Sequence, residues 1–600
     1  VTAKPTVGTD PVEVPEGLPA HRPAPAFGSD LVVDLLHDLG VRYLPLNPGS
    51  SFRGLHDSVV NHGGNHAPQL LLCLHEEIAV SLAHGYAKAT RGLGVAAVHD
   101  LVGLMHASMA VYDAFCDRTP LLVLGGSGPA DPALRRAGDW LHSATTQSEL
   151  VRDFVVWDAE PMTPPALAAD VLRATQRALS APRGPAYVSL DAGIQEMRLD
   201  GELPPLRLAA HAPAPPVAPD PVALDRAADL LLAAERPVVV GGRLGLDPRG
   251  TSLLVELVEL IGAAYRDDRN IVAFPTTHPQ NLTGDQGLLG DADVVLAVDV
   301  ADLPSLLRPR HRGARDAATA SPAAPAVIDL SYGDLGLRSW SNAFSAPVER
   351  AVQLLAEPLL GLEQLIAAVA RRVDAGVRGV VEARRAAVAA KAAALRAEQR
   401  AAVAQAWRST PISPVRLVGE TWEAVHNDNV LLCLRNTRTW PEGVWEFSGA
   451  GDYLGHSGGG GVGYGPGALV GGALAARDQG RLGVGIVGDG DLLMAAGALW
   501  TAVHYDVPAL VVVNDNGSFY NDEPHQIEVA RHRGRPEVNS WIGMRISDPP
   551  VDIAGLARSY GCWAPDTVTE PDDLAPALAA GRRHALDGEV AVVHVRTSPT

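Results

Sequence analysis

Two short apolar runs, each closed by a small polar turn, constrain this chain more than any other feature. Residues 482–487 end at Gly488-Asp489-Gly490, and residues 508–513 end at Asn514-Asp515-Asn516-Gly517. Runs of this kind read as buried parallel strands stopped by tight turns. Between them, residues 492–505 hold no proline and a single glycine, Gly497, which is room for about four helical turns. The unit is therefore strand, crossover helix, strand, and a right-handed crossover puts both strand ends on one edge of the sheet. That edge is where open α/β sheets bind ligands, and Asp489 and Asn516 fall on it. A carboxylate, an amide oxygen and a free turn carbonyl suit a hard divalent cation that keeps positions for phosphate and water. Asp-Gly and Asn-Gly also end strands in many proteins that bind no metal. The information lies in the pair, with 27 residues from Asp489 to Asn516.

The same grammar extends over the rest of the chain. Residues 31–39 read as a helix, 43–46 as a strand, and Asn47-Pro48-Gly49-Ser50 as the turn that ends it. A buried strand at 69–74 stops at His75-Glu76-Glu77, and the helix that follows, 78–90, is dense in small residues (Ala79, Ser81, Ala83, Gly85, Ala87). Residues 93–128 then run parallel to residues 482–517: Leu-Gly-Val, a strand-ending turn, Leu-Met, a small-residue helix, Pro and an apolar strand recur in order with one single-residue gap. The two ends of the chain thus look like versions of one α/β domain. In the first copy His99-Asp100 stands where the second has Gly488-Asp489, so the first has lost the metal turn. A Pro/Ala-rich stretch at 201–219 reads as a linker. A third α/β unit follows, with strands at 237–240, 294–298 and 326–329, and an Ala/Arg-rich helical run covers 362–406, its charges read as a solvated face. The last domain opens with a strand at 430–434 and Arg435-Asn436-Thr437, then Gly458 to Gly461, Val462 and Gly463, a loop whose backbone can approach a ligand closely. The expected fold is α/β with three doubly wound parallel-sheet domains. The expected boundaries are an arm at 1–27, a first domain at 28–200, a linker at 201–219, a middle domain at 220–358, a linker helix at 359–410 and a last domain at 411–600.

GDG, a spacer of this size and a paired Asn or Asp-Asn together resemble the signature of the thiamine diphosphate (ThDP)-dependent enzymes, over residues 30–595. The similarity is greatest to benzoylformate decarboxylase and acetohydroxyacid synthase. It implies that the first domain binds the cofactor's pyrimidine and the last its diphosphate, with Mg2+ held by Asp489, Asn516 and the Ser518 carbonyl. It implies a cofactor-binding surface of Asn436, Thr437, Gly460, Gly461, Val462, Gly488, Gly490, Asp491, Asn516, Gly517 and Ser518, with Val462 as the wedge that bends the cofactor. Asp491 departs from the Ser or Ala of many relatives and adds a carboxylate near the diphosphate. Glu76, nine residues before Gly85 of Gly-Tyr-Ala, aligns with the acid that activates the cofactor through its aminopyrimidine, whereas Glu77 would point elsewhere. His99 aligns with an active-site histidine of benzoylformate decarboxylase, and Ser50 with a serine that contacts substrate. His106, seven residues on, reads as packing. No counterpart of a second, middle-domain histidine is found after Asp293, and no glycine fingerprint for FAD, so FAD is not expected. Family active sites form between subunits, and the small-residue helices suit such packing, so a homodimer or homotetramer is expected.

The implied activity is decarboxylation of a small 2-oxo acid, followed by aldehyde release or ligation to an acceptor. Acetolactate (acetohydroxyacid) synthase is the alternative, and a noncatalytic ThDP-binding assembly protein the alternative of another class. A formal charge of -20 over 600 residues argues against nucleic acid or an anionic membrane as partner. The four cysteines, Cys73, Cys116, Cys433 and Cys562, are far apart and beside apolar runs, which favours core packing over disulfides or zinc. Residues 1–27 lack a basic start followed by an apolar stretch, and no run approaches about 18 apolar residues, so the chain reads as cytoplasmic, with an extended or disordered arm.

Overall fold

The computed structural model describes residues 13–19, 21–201, 208–268, 271–307, 324–336, 347–437, 440–455 and 458–599. Part of the expected N-terminal arm and part of the first linker lie outside them.

The first sheet has six strands, β1 (Tyr43–Leu46), β2 (Gln69–Leu72), β3 (Gly94–Val98), β4 (Leu121–Ser127), β5 (Trp157–Ala159) and β6 (Pro185–Asp191), in the order β2-β1-β3-β4-β6-β5. Every pairing is parallel. Alternate residues serve two cores: Val95, Ala97, Leu122 and Leu124 face one, and Ala96, Val98, Leu121 and Val123 the other. This is why the strands read as unbroken apolar runs. Helix α1 (Glu76–Thr90) follows β2 and is capped by His75, whose Nδ1 accepts the Glu77 amide at 3.1 Å. Helix α2 (Asp100–Cys116) follows β3 with His99 at its N-cap.

The second sheet is built from β7 (Pro237–Gly241), β8 (Ala264–Asp267), β9 (Val294–Val298), β10 (Ala326–Ser331) and β11 (Val352–Leu355), ordered β11-β10-β9-β7-β8 and all parallel. The helical run expected at 362–406 is two helices, α3 (Pro358–Ala370) and α4 (Ala375–Ala406). They part where Asp374 accepts the Val377 amide at 2.9 Å and starts the second. Helix α3 buries Leu359, Leu362, Leu365 and Val369 in the core of this sheet. The charges of α4 do more than solvate a face, because the Arg384 guanidinium donates to the carbonyls of Ile261 at 3.1 Å and Leu232 at 2.9 Å. Residues 441–456 return to this unit: the Thr276 amide donates to the Phe447 carbonyl and the Phe447 amide to Thr276 Oγ1, both at 3.0 Å. The Ala450 amide donates to Thr251 Oγ1 at 2.8 Å.

The third sheet holds β12 (Val430–Arg435), β13 (Leu482–Gly488), β14 (Ala509–Asp515) and β15 (Val590–Arg596), parallel and in that order. It forms one compact unit with the first sheet. Helix α5 (Gly465–Asp478) lies against α1 so closely that a Cβ on Gly85 would sit 2.1 Å from the Ala468 carbonyl oxygen, and one on Gly471 2.0 Å from that of Leu82. The small-residue stripes thus meet each other within one chain. The crossover expected as one helix is broken into α6 (Asp489–Met494) and α7 (Gly497–His504). Helix α6 starts on the strand-end turn itself, Ala495 leaves helical geometry at φ -138°, ψ 33°, and Gly497 restarts the chain against Leu74 and Ile78.

All four cysteines are free. Among the described residues no helix is long and apolar enough to cross a membrane.

Candidate active site

At the carboxyl edge of the third sheet, Asp489 opens α6 and Asp515 ends β14, and both are buried. Burial, and the neighbouring Asp515 carboxylate, push the Asp489 carboxyl up to about 7. Burial also acts to raise Asp515, but it is outweighed: His594 Nε2 lies 2.6 Å from one carboxylate oxygen, the Arg596 guanidinium lies 2.9 Å away, and the group is held below its ordinary range. One member of the pair is therefore compensated by the fold. Among the described residues no cationic side chain pairs with the other. Beyond β14, Gly517 takes φ +65°, the left-handed region natural to glycine, and the turn closes as Asn516 Oδ1 accepts the Ser518 amide at 3.0 Å. The Ser518 hydroxyl donates to buried Glu523 at 2.6 Å.

Asp491 has a different task from the one its place in the motif suggests. Its Oδ1 accepts the Gly463 amide at 2.6 Å and its Oδ2 the Asn436 side-chain amide at 2.8 Å, so it ties the glycine-rich loop to the end of β12. Burial raises its carboxyl, and each oxygen holds an amide donor, one in the loop and one at the end of β12. Gly460 is at φ +71° with open space where a Cβ would be, whereas Gly461 is pressed on Met109. Val462 is half exposed. Gly488 faces space, its nearest neighbour being Asn436 at 4.0 Å from an added Cβ, and Gly490 lies under the Phe519 ring. Thr437 follows β12 directly after Asn436.

On the first sheet, Glu76 is buried at the start of α1. His106 Nδ1 lies 3.0 Å from its Oε2, and Gly103 is bare beside its Oε1, where a Cβ would come to 2.9 Å. The expectation that His106 is packing is overturned: the ring is 53% exposed, pairs with Glu76 and stacks with His75 at 4.7 Å between centroids. The clue lay in the spacing, since seven residues from His99 is two helical turns along one face. Glu77 points elsewhere, accepting the Ala110 amide at 3.2 Å.

His99 Nδ1 meets the Ser51 hydroxyl at 2.8 Å, its Nε2 is 3.4 Å from Asp100, and its ring is 5.5 Å from that of His142. Burial raises the Asp100 carboxyl. Of the two adjacent serines it is Ser51 that reaches His99, while Ser50 Oγ accepts from the Arg136 guanidinium at 3.0 Å.

Two family profiles match the chain: thiamine pyrophosphate enzyme, N-terminal TPP binding domain, over residues 27–150, and thiamine pyrophosphate enzyme, C-terminal TPP binding domain, over residues 436–595. The chain belongs to the thiamine pyrophosphate enzymes. It is 28% identical over 558 residues to benzoylformate decarboxylase of Pseudomonas aeruginosa, covering 88% of this chain and 93% of that one. A probable acetolactate synthase large subunit of Methanocaldococcus jannaschii is 22% identical over 567 residues, 91% of this chain and 88% of that one. In fold, the crystal structure of benzoylformate decarboxylase from Polynucleobacter necessarius matches with a TM-score of 0.75 at 18% identity, over 96% of this chain and 99% of that one. The chain is thus a ThDP-dependent enzyme of the decarboxylase and acetolactate synthase type. The residues present fit the family's cofactor: the uncompensated Asp489 carboxyl and the open backbone at Gly488 and Gly460 lie in the domain that the second profile matches.

Proposed function

We propose that the protein is a ThDP- and Mg2+-dependent carbon-carbon lyase or carboligase that decarboxylates a small 2-oxo acid and then releases the aldehyde or passes it to an acceptor. The observation that carries this reading is the buried, uncompensated Asp489 beside a charge-balanced Asp515. Such a donor suits a cation, and Asn516 Oδ1 and the Ser518 carbonyl would complete an oxygen set suited to Mg2+. Asn436, Thr437, Gly460, Gly461, Gly488, Gly490 and Gly517 would line the cofactor, Val462 would set its bend, and Asp491 would hold the loop in place. When bound, ThDP supplies a carbon nucleophile and an electron sink. The chain's own part is proton handling: Glu76 holds and gives up a proton at its carboxyl, and His99, oriented by Ser51 and Asp100, moves protons on the substrate side. Ser50 and the neighbouring Arg136 offer a hydroxyl and a guanidinium suited to a carboxylate.

Acetolactate synthesis is a second reading, supported by the long match to the probable acetolactate synthase. Buried Glu76 and Asp489, each costly unless used, speak against a noncatalytic role. Protein stripped of metal and cofactor should release CO2 from a panel of 2-oxo acids only when ThDP and Mg2+ are both returned, with no added FAD. Acetolactate formed from pyruvate would select the second reading. Calorimetry on Asp489→Ala should show ThDP binding lost, and unchanged affinity would sink the metal assignment.

A further inference from the structure

We infer that His106 is a positioning residue and proton relay for Glu76, passing protons between that buried carboxyl and solvent. The inference rests on Glu76 being the acid that activates the cofactor. The Glu76 side chain is 8% exposed and that of His106 53%. Among the described residues the imidazole is the one hydrogen-bond partner of the carboxyl, at 3.0 Å through Nδ1. A carboxyl that alternately holds and surrenders a proton in a buried place needs both a fixed orientation and an exit for the proton. The contact supplies both. A carboxylate only accepts, so opposite an ionised Glu76 it is Nδ1 that carries the hydrogen, and in the neutral ring Nε2 then has the lone pair.

When the carboxyl has given up its proton, the Nδ1 proton passes to Oε2 while Nε2 takes one from water. When it recovers a proton, the flow reverses and the ring returns to its starting tautomer. One proton enters for each that leaves, and nothing is oxidised or reduced. The titratable neighbours leave the path open. His75 stacks on the ring with its own Nδ1 occupied by the Glu77 amide, Glu77 is turned to Ala110, Asp113 on α2 accepts from Gly459, and His99 is occupied by Ser51 two helical turns away.

His106→Asn keeps a donor near the Nδ1 place but cannot pass a proton on, and His106→Ala removes both functions. In cofactor-free wild-type protein, imidazole 15N spectra should show His106 in the Nδ1–H form, and Glu76→Ala should return it to the Nε2–H form favoured in water. With ThDP and Mg2+ bound, His106→Asn should retain cofactor affinity yet slow hydrogen-deuterium exchange at the cofactor's C2 roughly tenfold or more, with an altered pH profile. His106→Ala should be slower still and partly restored by added imidazole. Wild-type exchange rates and pH profile in both variants, or slow exchange that imidazole leaves untouched with an unchanged profile, would overturn the relay. Normal exchange in Glu76→Gln would instead remove Glu76 as the activating acid.

Discussion

Glutamine in place of Glu76 keeps the volume and the contact to His106 but cannot carry the proton. We expect Glu76→Gln to slow C2 exchange of bound ThDP by about 100-fold or more, the range for a positioned acid-base group, while the cofactor stays bound through the last domain. His99→Ala should leave that exchange near normal and depress turnover of the best substrate. If it abolished exchange as fully as Glu76→Gln, or left turnover intact, His99 would be a structural N-cap only. Glu77 gives a pH-dependent contrast. Burial pushes its carboxyl up to about 8 from an ordinary 4.5, the Ala110 amide opposing and Asp113 adding to the rise. A carboxyl raised by the fold contributes its full stability below the unfolded value and loses it as pH climbs through about 8. Glu77→Gln should therefore gain on wild type as pH rises, by about 2 °C in melting temperature between about pH 6 and pH 9. A constant gap would mean the carboxyl does not titrate as a buried group. Glu76 and Asp489 were legible in the sequence because each sits at a strand end, a place that the apolar runs define. Ser51 and His106 were not, because their partners depend on which of two serines turns inward and on how α1 and α2 cross.

Where elements pack, side-chain volume decides more than propensity. The α1–α5 contact leaves no room for a methyl at Gly85 or Gly471, so Gly471→Ala should cost about 1–3 kcal/mol in a denaturant titration, as overpacking does. Gly379→Ala, in α4 where a Cβ would meet nothing within 4 Å, should gain up to about 1 kcal/mol from helix propensity. Equal effects at the two positions would show that the helices are not in tight register. Although β5, β6, β8, β11 and β15 were not singled out, the strands expected from the sequence were readable to within a residue or two, since an apolar run of four to seven residues has few other uses. Helix continuity was not. The break at Ala495 answers to packing of Gly497 on Leu74 and Ile78, which no local pattern encodes. The break before α4 was signalled only by Asp374, an N-cap inside an otherwise uniform Ala/Arg composition.

For the whole molecule, large apolar side chains stand exposed on the unit that carries the candidate site, among them Trp140, Val538 and Ile542. We predict at least a homodimer, and sedimentation at assay concentration is the check; a stable, active monomer would refute it. The three-sheet plan could be read from the order of strands and helices because each βαβ unit carries its own pattern. The allocation of 441–456 could not, since that segment is held by Thr276 and Thr251, far away in sequence. Its placement bears on how such a chain can be recombined. The second unit is encoded in two separate stretches, 215–408 and 441–456, with β12 and the Asn436-Thr437 segment between them. A chimera that exchanges only the longer stretch would pair a foreign Thr251 and Thr276 with a native Ala450 and Phe447, so lineages that trade this unit must inherit both pieces together or evolve them in concert.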